Sequence, residues 1–162
     1  MQTFLPFSDY EQVAETLDNK RLNKQILEGY QILKVLSGAS ESGAWKNHPA
    51  VLTCKNSEHY LDEYVNYMVI EAAYRGIKTD KNVSNLKDLK ASFSKRWGNA
   101  KPIWSKPEHI DRVLTTHKVN LYRKDAEAYA QFYTAKVSEF NKPCCDKCLY
   151  YWATHIKDKE KK

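Results

Sequence analysis

The chain has 162 residues, 42% of them hydrophobic and 28% charged, with 26 Lys plus Arg against 20 Asp plus Glu. This length supports one domain with its own core, and no apolar run approaches the roughly 20 residues that a transmembrane helix needs. The net charge of +6 favours a polyanionic partner such as nucleic acid, although a lysine-rich surface would give the same excess. The N-terminal segment lacks the pattern of a secretion signal, so we expect a cytoplasmic protein.

Apolar residues recur at helical spacing through most of the chain, which predicts an all-α protein. Ser8 is expected to cap a helix over about 9–17. A longer helix is expected from Lys20 to Ser37, and Gly38 ends it. Leu22, Ile26, Tyr30, Leu33 and Leu36 form its apolar stripe.

Four further helices are expected. Ser57 caps one that ends near Gly76, and Ser84 caps the next, after a loop at 82–84. The third follows a cap at Ser105 and runs to about Tyr122, and the fourth runs from Asp125 to about Phe140. These elements predict one compact multi-helix domain over 1–156 and a lysine-rich disordered tail over 157–162.

Glu28 is the most informative residue of the second helix, where it shares a polar face with Lys20, Lys24 and Gln31. Leu27 falls on that face too, which predicts that another part of the chain covers it. A glutamate four residues after a lysine is ordinarily half of a solvated ion pair. However, a short extended arm ahead of the helix can bring the chain's α-amine beside Glu28. Schiff-base chemistry on a sugar needs at least an amine as nucleophile and a carboxylate beside it as the acid–base group.

Several stretches carry a resemblance to a known family. They are Thr-Phe-Leu-Pro at 3–6, Leu-Asp-Asn-Lys-Arg-Leu-Asn-Lys-Gln at 17–25, Trp-Lys-Asn-His-Pro-Ala-Val at 45–51, Glu-Ala-Ala-Tyr-Arg-Gly at 71–76 and Thr-His-Lys-Val-Asn-Leu-Tyr-Arg-Lys-Asp at 116–125. In this order they resemble the pyrimidine-dimer DNA glycosylases of the endonuclease V type. The resemblance is greater to a bacterial and phage branch that begins with Thr-Phe-Leu-Pro. Glu28 stands at the place of the family's catalytic glutamate.

The resemblance implies a helical DNA glycosylase with associated AP lyase activity that needs no metal or cofactor. Its partner would be duplex DNA containing a damaged or modified pyrimidine, bound by a monomer. In such enzymes the N-terminal amine attacks C1′ of deoxyribose and the glutamate assists. An α-amine in water has a pKa of about 7.7–8.0, against about 10.4 for a lysine, so more of it is unprotonated at neutral pH. Gln2 is expected to block removal of the initiator methionine, which makes Met1 the source of that amine. Leu27 stands where well-known members carry arginine.

Further residues are candidates for contact with DNA. We expect Lys20, Arg21 and Lys24 to hold phosphates beside the lesion. Asn47 and His48 would form the pocket wall, although His48 also sits where it can cap a helix. A basic cluster near the last helix junction suits either phosphate contact or a solvated face; it comprises His117, Lys118, Arg123 and Lys124.

Four tryptophans are expected to be core or partly buried packing residues: Trp45, Trp97, Trp104 and Trp152. Trp97 is the best candidate among them for contact with opened DNA. Cys145-x-x-Cys148, next to Cys144, would bind zinc only if Cys54 or His155 completed the ligand set, and otherwise these are reduced thiols.

Two other functions remain open. One is a non-catalytic binder of DNA or RNA on the same scaffold. The other is an enzyme that modifies free nucleotides in the same pocket.

Overall fold

A computed structural model of the chain describes residues 1–137 and 151–154, and every element within them is helical. The prediction of an all-α domain is confirmed. The α-helices are α1 (Tyr10–Thr16), α2 (Asn19–Leu36), α3 (Pro49–Leu52), α4 (Glu58–Tyr74), α5 (Asp80–Phe93) and α6 (Ile110–Lys124). Short 3-10 helices cover Ser94–Arg96, Ile103–Ser105 and Ala130–Val137. In this part of the chain no helix combines the length and the apolarity that a membrane crossing requires.

The packing of α2 on α4 forms the centre of the molecule. The predicted stripe of α2 supplies Leu22, Ile26 and Leu33, which are completely buried. The two helices approach so closely that a Cβ added at Gly29 would collide with Val65 Cγ2. Gly29 is therefore required by packing, which outweighs the lower helix propensity of glycine. Gly29 also follows Glu28 directly in the sequence. The close contact between α2 and α4 at Gly29 therefore fixes the position of the part of α2 that carries the Glu28 carboxylate.

Arg75 holds the corner between α1 and α2. Its guanidinium donates to three backbone carbonyls of the α1 C-terminus and the following turn: Ala14 at 3.1 Å, Glu15 at 3.0 Å and Leu17 at 2.6 Å. Glu71 accepts from its Nε at 2.7 Å. Carbonyls at the end of a helix lack partners within the helix, and a guanidinium satisfies several of them at once. The corner sets the direction in which α2 leaves α1.

Several predicted helix boundaries are wrong by a few residues. Asp9, not Ser8, caps α1, because its carboxylate accepts from the Gln12 amide at 2.9 Å. The predicted cap Ser84 lies inside α5, which begins at Asp80 after the cap residue Thr79. An acidic residue in the first turn favours that earlier start through the helix dipole. Two predicted C-terminal glycines, Gly38 and Gly76, do adopt positive φ of 76° and 74°.

The last two predicted helices also differ in detail. The Ser105 segment continues as turns, so that α6 begins only at Ile110. Asp125 opens no α-helix: its carboxylate accepts from the Ala128 amide at 3.0 Å, and the chain then closes shorter 3-10 bonds such as Phe132 N–H to Tyr129 O at 2.9 Å. Three predictions concern positions outside the described residues: the helix end at Phe140, the possible zinc ligands Cys144, Cys145, Cys148 and His155, and the tail 157–162.

Candidate active site at the N-terminus

The first five residues form an arm that lies across α2, α4 and α6 and is buried over its last three residues. Thr3, Phe4 and Leu5 are at most 5% exposed. The Phe4 amide donates to Gln25 Oε1 at 3.0 Å, and its carbonyl accepts from the Tyr64 hydroxyl at 2.8 Å. Buried backbone groups are costly without partners, so these bonds determine where the arm lies.

His117 anchors the next residue of the arm. Its Nδ1 accepts from the Leu5 amide at 2.8 Å, while the side chain is only 1% exposed. Burial lowers the pKa of His117 to about 3, so the ring is neutral at physiological pH. The prediction that His117 belongs to a basic surface in contact with phosphate is wrong, since the tertiary structure places it in the core.

The arm brings the α-amine of Met1 to Glu28. The amino nitrogen lies 3.8 Å from Oε1, and the two side chains are 6% and 9% exposed. Lys24 Nζ lies 3.7 Å from the same oxygen, so the ordinary i,i+4 ion pair is present as well. Gln25 Nε2 donates to the other oxygen, Oε2, at 3.3 Å. The carboxylate is thus surrounded by donors on both oxygens.

The arm covers Glu28 and buries it. The prediction that another part of the chain covers Leu27 therefore named the wrong residue of this helix. Leu27, expected to be covered, is 40% exposed, whereas Gln25 and Glu28 are buried at 0% and 7%. The arm is polar where it meets the helix, so it covers the groups that hydrogen bond to it. Leu27 projects away from that contact.

A cleft of about 390 Å³ opens beside the Met1–Glu28 pair. Among the residues that the structure describes, four basic side chains line it, and Glu28 is the one acidic residue. Arg21 is already engaged, since its Nη1 lies 3.0 Å from Asp18 Oδ1 and its guanidinium lies 5.6 Å from the Tyr129 ring centroid. Tyr129 in turn donates its hydroxyl to the same Asp18 oxygen. The described residues that line the cleft are Met1, Gln2, Phe4, Lys20, Arg21, Lys24, Glu28 and Lys124.

His48 lies within electrostatic reach of this pair. Its pKa is lowered by partial burial and then by the positive charge of the N-terminus, while Glu28 acts in the opposite direction. Its Nδ1 accepts from the Ala50 amide at 3.1 Å, so His48 also caps α3 as the alternative interpretation expected. Asn47, its neighbour in sequence, is exposed.

The remaining predicted contact residues are spread over α6. Lys124 lines the cleft, and Lys118 Nζ lies 5.0 Å from the Phe7 ring centroid. Arg123 is exposed near the end of the helix. Lys124 is therefore the member of the α6 cluster that shares the cleft with Met1 and Glu28.

The prediction that the four tryptophans are core or partly buried residues is wrong for Trp45 alone. Trp97 is 7% exposed and donates Nε1 to Ser37 Oγ at 2.8 Å, so it is a core residue. Trp45, expected in the core, is 58% exposed. Trp104 is buried and Trp152 is partly buried, as expected. Flanking lysines and arginine suggested a DNA contact for Trp97, but side-chain burial depends on long-range packing that local composition does not report.

Sequence reasoning missed Gln25 and Tyr64, the residues that link the arm to the carboxylate. Gln25 precedes Glu28 by three residues, a spacing that places both side chains on one side of a helix, and this could have identified it. Tyr64 carries no such signal, because it is 39 residues from Gln25 in sequence. Within 1–137 and 151–154 no cluster of three or more potential metal ligands occurs. Burial raises the pKa of the Cys54 thiol to about 12, which disfavours the thiolate that zinc requires.

Comparison with known proteins identifies one family. A family model described as pyrimidine dimer DNA glycosylase matches residues 1–85, which is more than half of the chain and includes α1 to α4, Met1, Glu28 and His48. Searches of curated proteins and of solved structures found no match. The chain belongs to the pyrimidine dimer DNA glycosylase family.

Proposed function

We propose that the protein is a DNA glycosylase with AP lyase activity on damaged or modified pyrimidines in duplex DNA, with the Met1 amine as nucleophile. The observation that carries the proposal is the distance of 3.8 Å between the Met1 nitrogen and Glu28 Oε1 at the edge of a cationic cleft. Family membership independently supports a glycosylase acting on DNA. The lyase step, the Schiff base and the individual residue roles are our inference from this geometry.

The proposed reaction begins with the unprotonated amine attacking C1′ of the damaged nucleotide. A bond forms between the Met1 nitrogen and C1′, and the glycosidic bond breaks as the base leaves with its bonding electrons and takes up a proton. Glu28 accepts the proton that the amine loses. Breaking the C1′–O4′ bond opens the ring and completes the imine, and Glu28 returns its proton to O4′, which leaves the carboxylate ionised again.

Strand cleavage follows from the imine. Removal of a proton from C2′ sends electrons toward C3′, where the C3′–O bond breaks and the phosphate leaves. Glu28 is the carboxylate placed to accept that proton. Water then hydrolyses the imine, which releases the unsaturated aldehyde and restores the amine.

The cations of the cleft suit the phosphates that flank such a nucleotide. Lys20 and Lys24 are exposed on α2, and Lys124 approaches from the end of α6. Arg21 is partly buried, and its bonds to Asp18 hold its guanidinium in a fixed direction. Phosphate contacts of this kind fix the register of the DNA, while chemistry depends on the amine and carboxylate.

Borohydride trapping tests the proposal directly. The protein is incubated with duplex DNA containing a damaged pyrimidine, and borohydride reduces any imine to a stable amine. We expect a covalent adduct whose peptide map places the DNA on the Met1 nitrogen. Because many amines nick abasic DNA, base release from the intact lesion must be measured in the same samples.

Glu28→Gln is the informative variant, and Glu11→Gln is its matched control, since Glu11 lies exposed in the first turn of α1 and outside the cleft. If the wild type binds DNA but forms no adduct on any lesion tested, the result would favour the alternative that the protein binds nucleic acid without catalysis. Tight binding of mononucleotides alone would instead favour an enzyme acting on free nucleotides.

A further inference from the structure

A second cleft, of about 430 Å³, is lined by residues of α1, α4 and the 3-10 helix Ile103–Ser105. It shares no described lining residue with the cationic cleft, so the proposed function assigns no role to it. Aromatic and acidic side chains form much of its described lining, and we therefore call it the aromatic cleft. The aromatic members are Tyr10, Tyr60, Tyr67 and Trp104, and the acidic members are Asp9 and Glu63.

The rings of the aromatic cleft form walls that meet at angles around Tyr10, the first residue of α1. The centroid of the Tyr10 ring lies 6.4 Å from that of Tyr67 and 6.2 Å from that of Trp104, with interplanar angles of 66° and 49°. Parallel stacked rings would cover each other's faces, whereas tilted rings present faces to a shared space. The face of an aromatic ring is electron-rich and attracts a cation. These walls therefore suit a positively charged group.

Packing and a helix cap hold the rings in place. Trp104 is 7% exposed, and the Tyr10 ring meets the buried Tyr64 ring edge to face, with centroids 5.4 Å apart. The Asp9 carboxylate accepts from the Gln12 amide at 2.9 Å, which fixes the turn of α1 that carries Tyr10. A site whose walls are already ordered loses little conformational entropy when a ligand binds. The aromatic cleft is preorganised in this sense.

The charge of the aromatic cleft is opposite in sign to that of the whole chain. Asp9 and Glu63 contribute two negative charges and Lys101 one positive charge, so these described lining residues sum to −1, whereas the chain carries +6. Asp9 is engaged as the cap of α1, but Glu63 is exposed, and no hydrogen bond or ion pair with another described residue engages it. Burial raises the pKa of Tyr10, and Glu63 is among the charges that raise it further. The field of Glu63 therefore reaches the rings.

We propose that the aromatic cleft binds an organic ammonium cation, which lies against the rings of Tyr10 and Tyr67 and pairs with Glu63. Aromatic walls beside a carboxylate combine the two attractions that such a cation finds in proteins. The inference goes beyond the proposed function and does not depend on it, because the two clefts share no described lining residue. Glu28→Gln should therefore leave binding in the aromatic cleft unchanged.

Titrations of the full-length, isotope-labelled protein followed by nuclear magnetic resonance test the proposal, with the indole N–H signals as reporters. Trp104 lines the aromatic cleft, whereas the Trp97 indole donates to Ser37 and serves as the internal reference. The probes are choline and dimethylbutanol, its uncharged analogue of the same shape with carbon in place of nitrogen. We expect choline to shift the Trp104 signal saturably and to bind about five-fold more tightly than the alcohol, because the ring faces attract only the cation.

Substitutions of the lining should change the affinity for choline in opposite directions. Glu63→Gln removes the pairing carboxylate and should weaken binding about three-fold, whereas Lys101→Ala removes a competing cation and should tighten it about two-fold. Tyr67→Leu should weaken binding by about three-fold or more, and Tyr67→Phe, which keeps the ring, should retain it. Glu15→Gln, at an exposed position of α1 outside the cleft, is the matched control for Glu63→Gln.

Two further probes separate the sources of the cation, which is either a free amine or a lysine side chain of a partner protein. Butylamine carries the ammonium alone, and N-acetyl-lysine amide carries the same group on a peptide backbone. Tighter binding of the amide would support the proposal with a protein side chain as ligand. Binding of butylamine that is at least as tight would support it with a free amine.

Equal binding of choline and dimethylbutanol would overturn the proposal, because the cleft would then be only an apolar surface. A Trp104 signal that none of the probes shifts would overturn it as well. The same holds if both Glu63→Gln and Tyr67→Leu leave the affinity for choline unchanged, since the cation would then bind elsewhere.

Discussion

The α-amino nitrogen of Met1 lies 3.8 Å from Oε1 of Glu28, and the side chains of both residues are less than 10% exposed. An N-terminus is usually among the least ordered parts of a domain. Here the arm is held at Phe4 and Leu5: their amides donate to Gln25 and His117, and the Phe4 carbonyl accepts from the Tyr64 hydroxyl. The pairing is thus a product of the whole fold, and its consequences can be measured.

Glu28→Gln is expected to abolish turnover while DNA affinity is kept. The substitution removes the proton acceptor but leaves the four cations of the cleft, and one negative charge fewer near phosphates does not weaken binding. Loss of a positioned acid–base group typically lowers the rate by about 10²–10⁴. Single-turnover kinetics and anisotropy titrations measure the two effects. A variant that still releases bases at the wild-type rate would remove Glu28 from the mechanism.

Gln25→Ala should loosen the N-terminal arm without removing a contact between the protein and DNA. The substitution leaves the buried Phe4 amide without its acceptor, which costs about 1–3 kcal/mol of unfolding free energy. We also expect a lower rate of imine formation, because the amine is held less firmly, with little change in DNA affinity. Urea unfolding and borohydride trapping give the two quantities. Gln12→Ala, at an exposed position of α1, is the control, and equal effects of both variants would refute a specific role for Gln25.

The free energy of unfolding should fall as the pH drops from about 6.5 toward 3, because His117 takes up one proton when the chain unfolds in this range. The folded-state pKa is about 3, whereas the unfolded histidine titrates at its ordinary value of 6.5. Between these values the unfolded chain binds a proton that the folded chain does not, so acid favours unfolding. One proton corresponds to a slope of about 1.4 kcal/mol per pH unit.

His117→Gln tests the source of this slope, because an amide oxygen can still accept from Leu5 but does not titrate. We expect the variant to show a shallower dependence of unfolding free energy on pH over that range, whatever its absolute stability. A slope identical to that of the wild type would mean that other groups are responsible.

Lys20 and Lys24 should control the salt dependence of DNA binding. If each contacts one phosphate, Lys20→Ala/Lys24→Ala lowers the slope of log K against log salt by roughly 0.9 per lost contact. Lys87→Ala on the exposed face of α5 is the comparison, since Lys87 does not line the cleft. Titrations at several salt concentrations check the prediction, and an unchanged slope in the double variant would place the DNA elsewhere.

The predictions that the tertiary structure contradicts mainly concern side chains whose burial depends on residues distant in the sequence. Trp45 was expected in the core but is exposed. Trp97, the candidate for contact with DNA, lies in the core, where its partner is Ser37, sixty residues away. His117 looked like part of a basic surface but accepts a hydrogen bond from Leu5, 112 residues away. Local charge and aromatic content carry no information about such partners. The boundaries of α5 and α6 failed for a smaller reason, because competing caps lie within a few residues of each other.

The amino-acid sequence alone determined that the described chain is helical, where α2 runs, where Gly38 and Gly76 end their helices, and that Glu28 was the residue to examine. These features depend on spacing and on backbone freedom, which are local properties. Only the tertiary structure decided that the N-terminal arm is buried, that it covers Glu28 and leaves Leu27 exposed, and that Met1 lines the cationic cleft. The physical reason is that buried backbone groups of the arm must find partners, and those partners lie on α2, α4 and α6, far apart in the sequence.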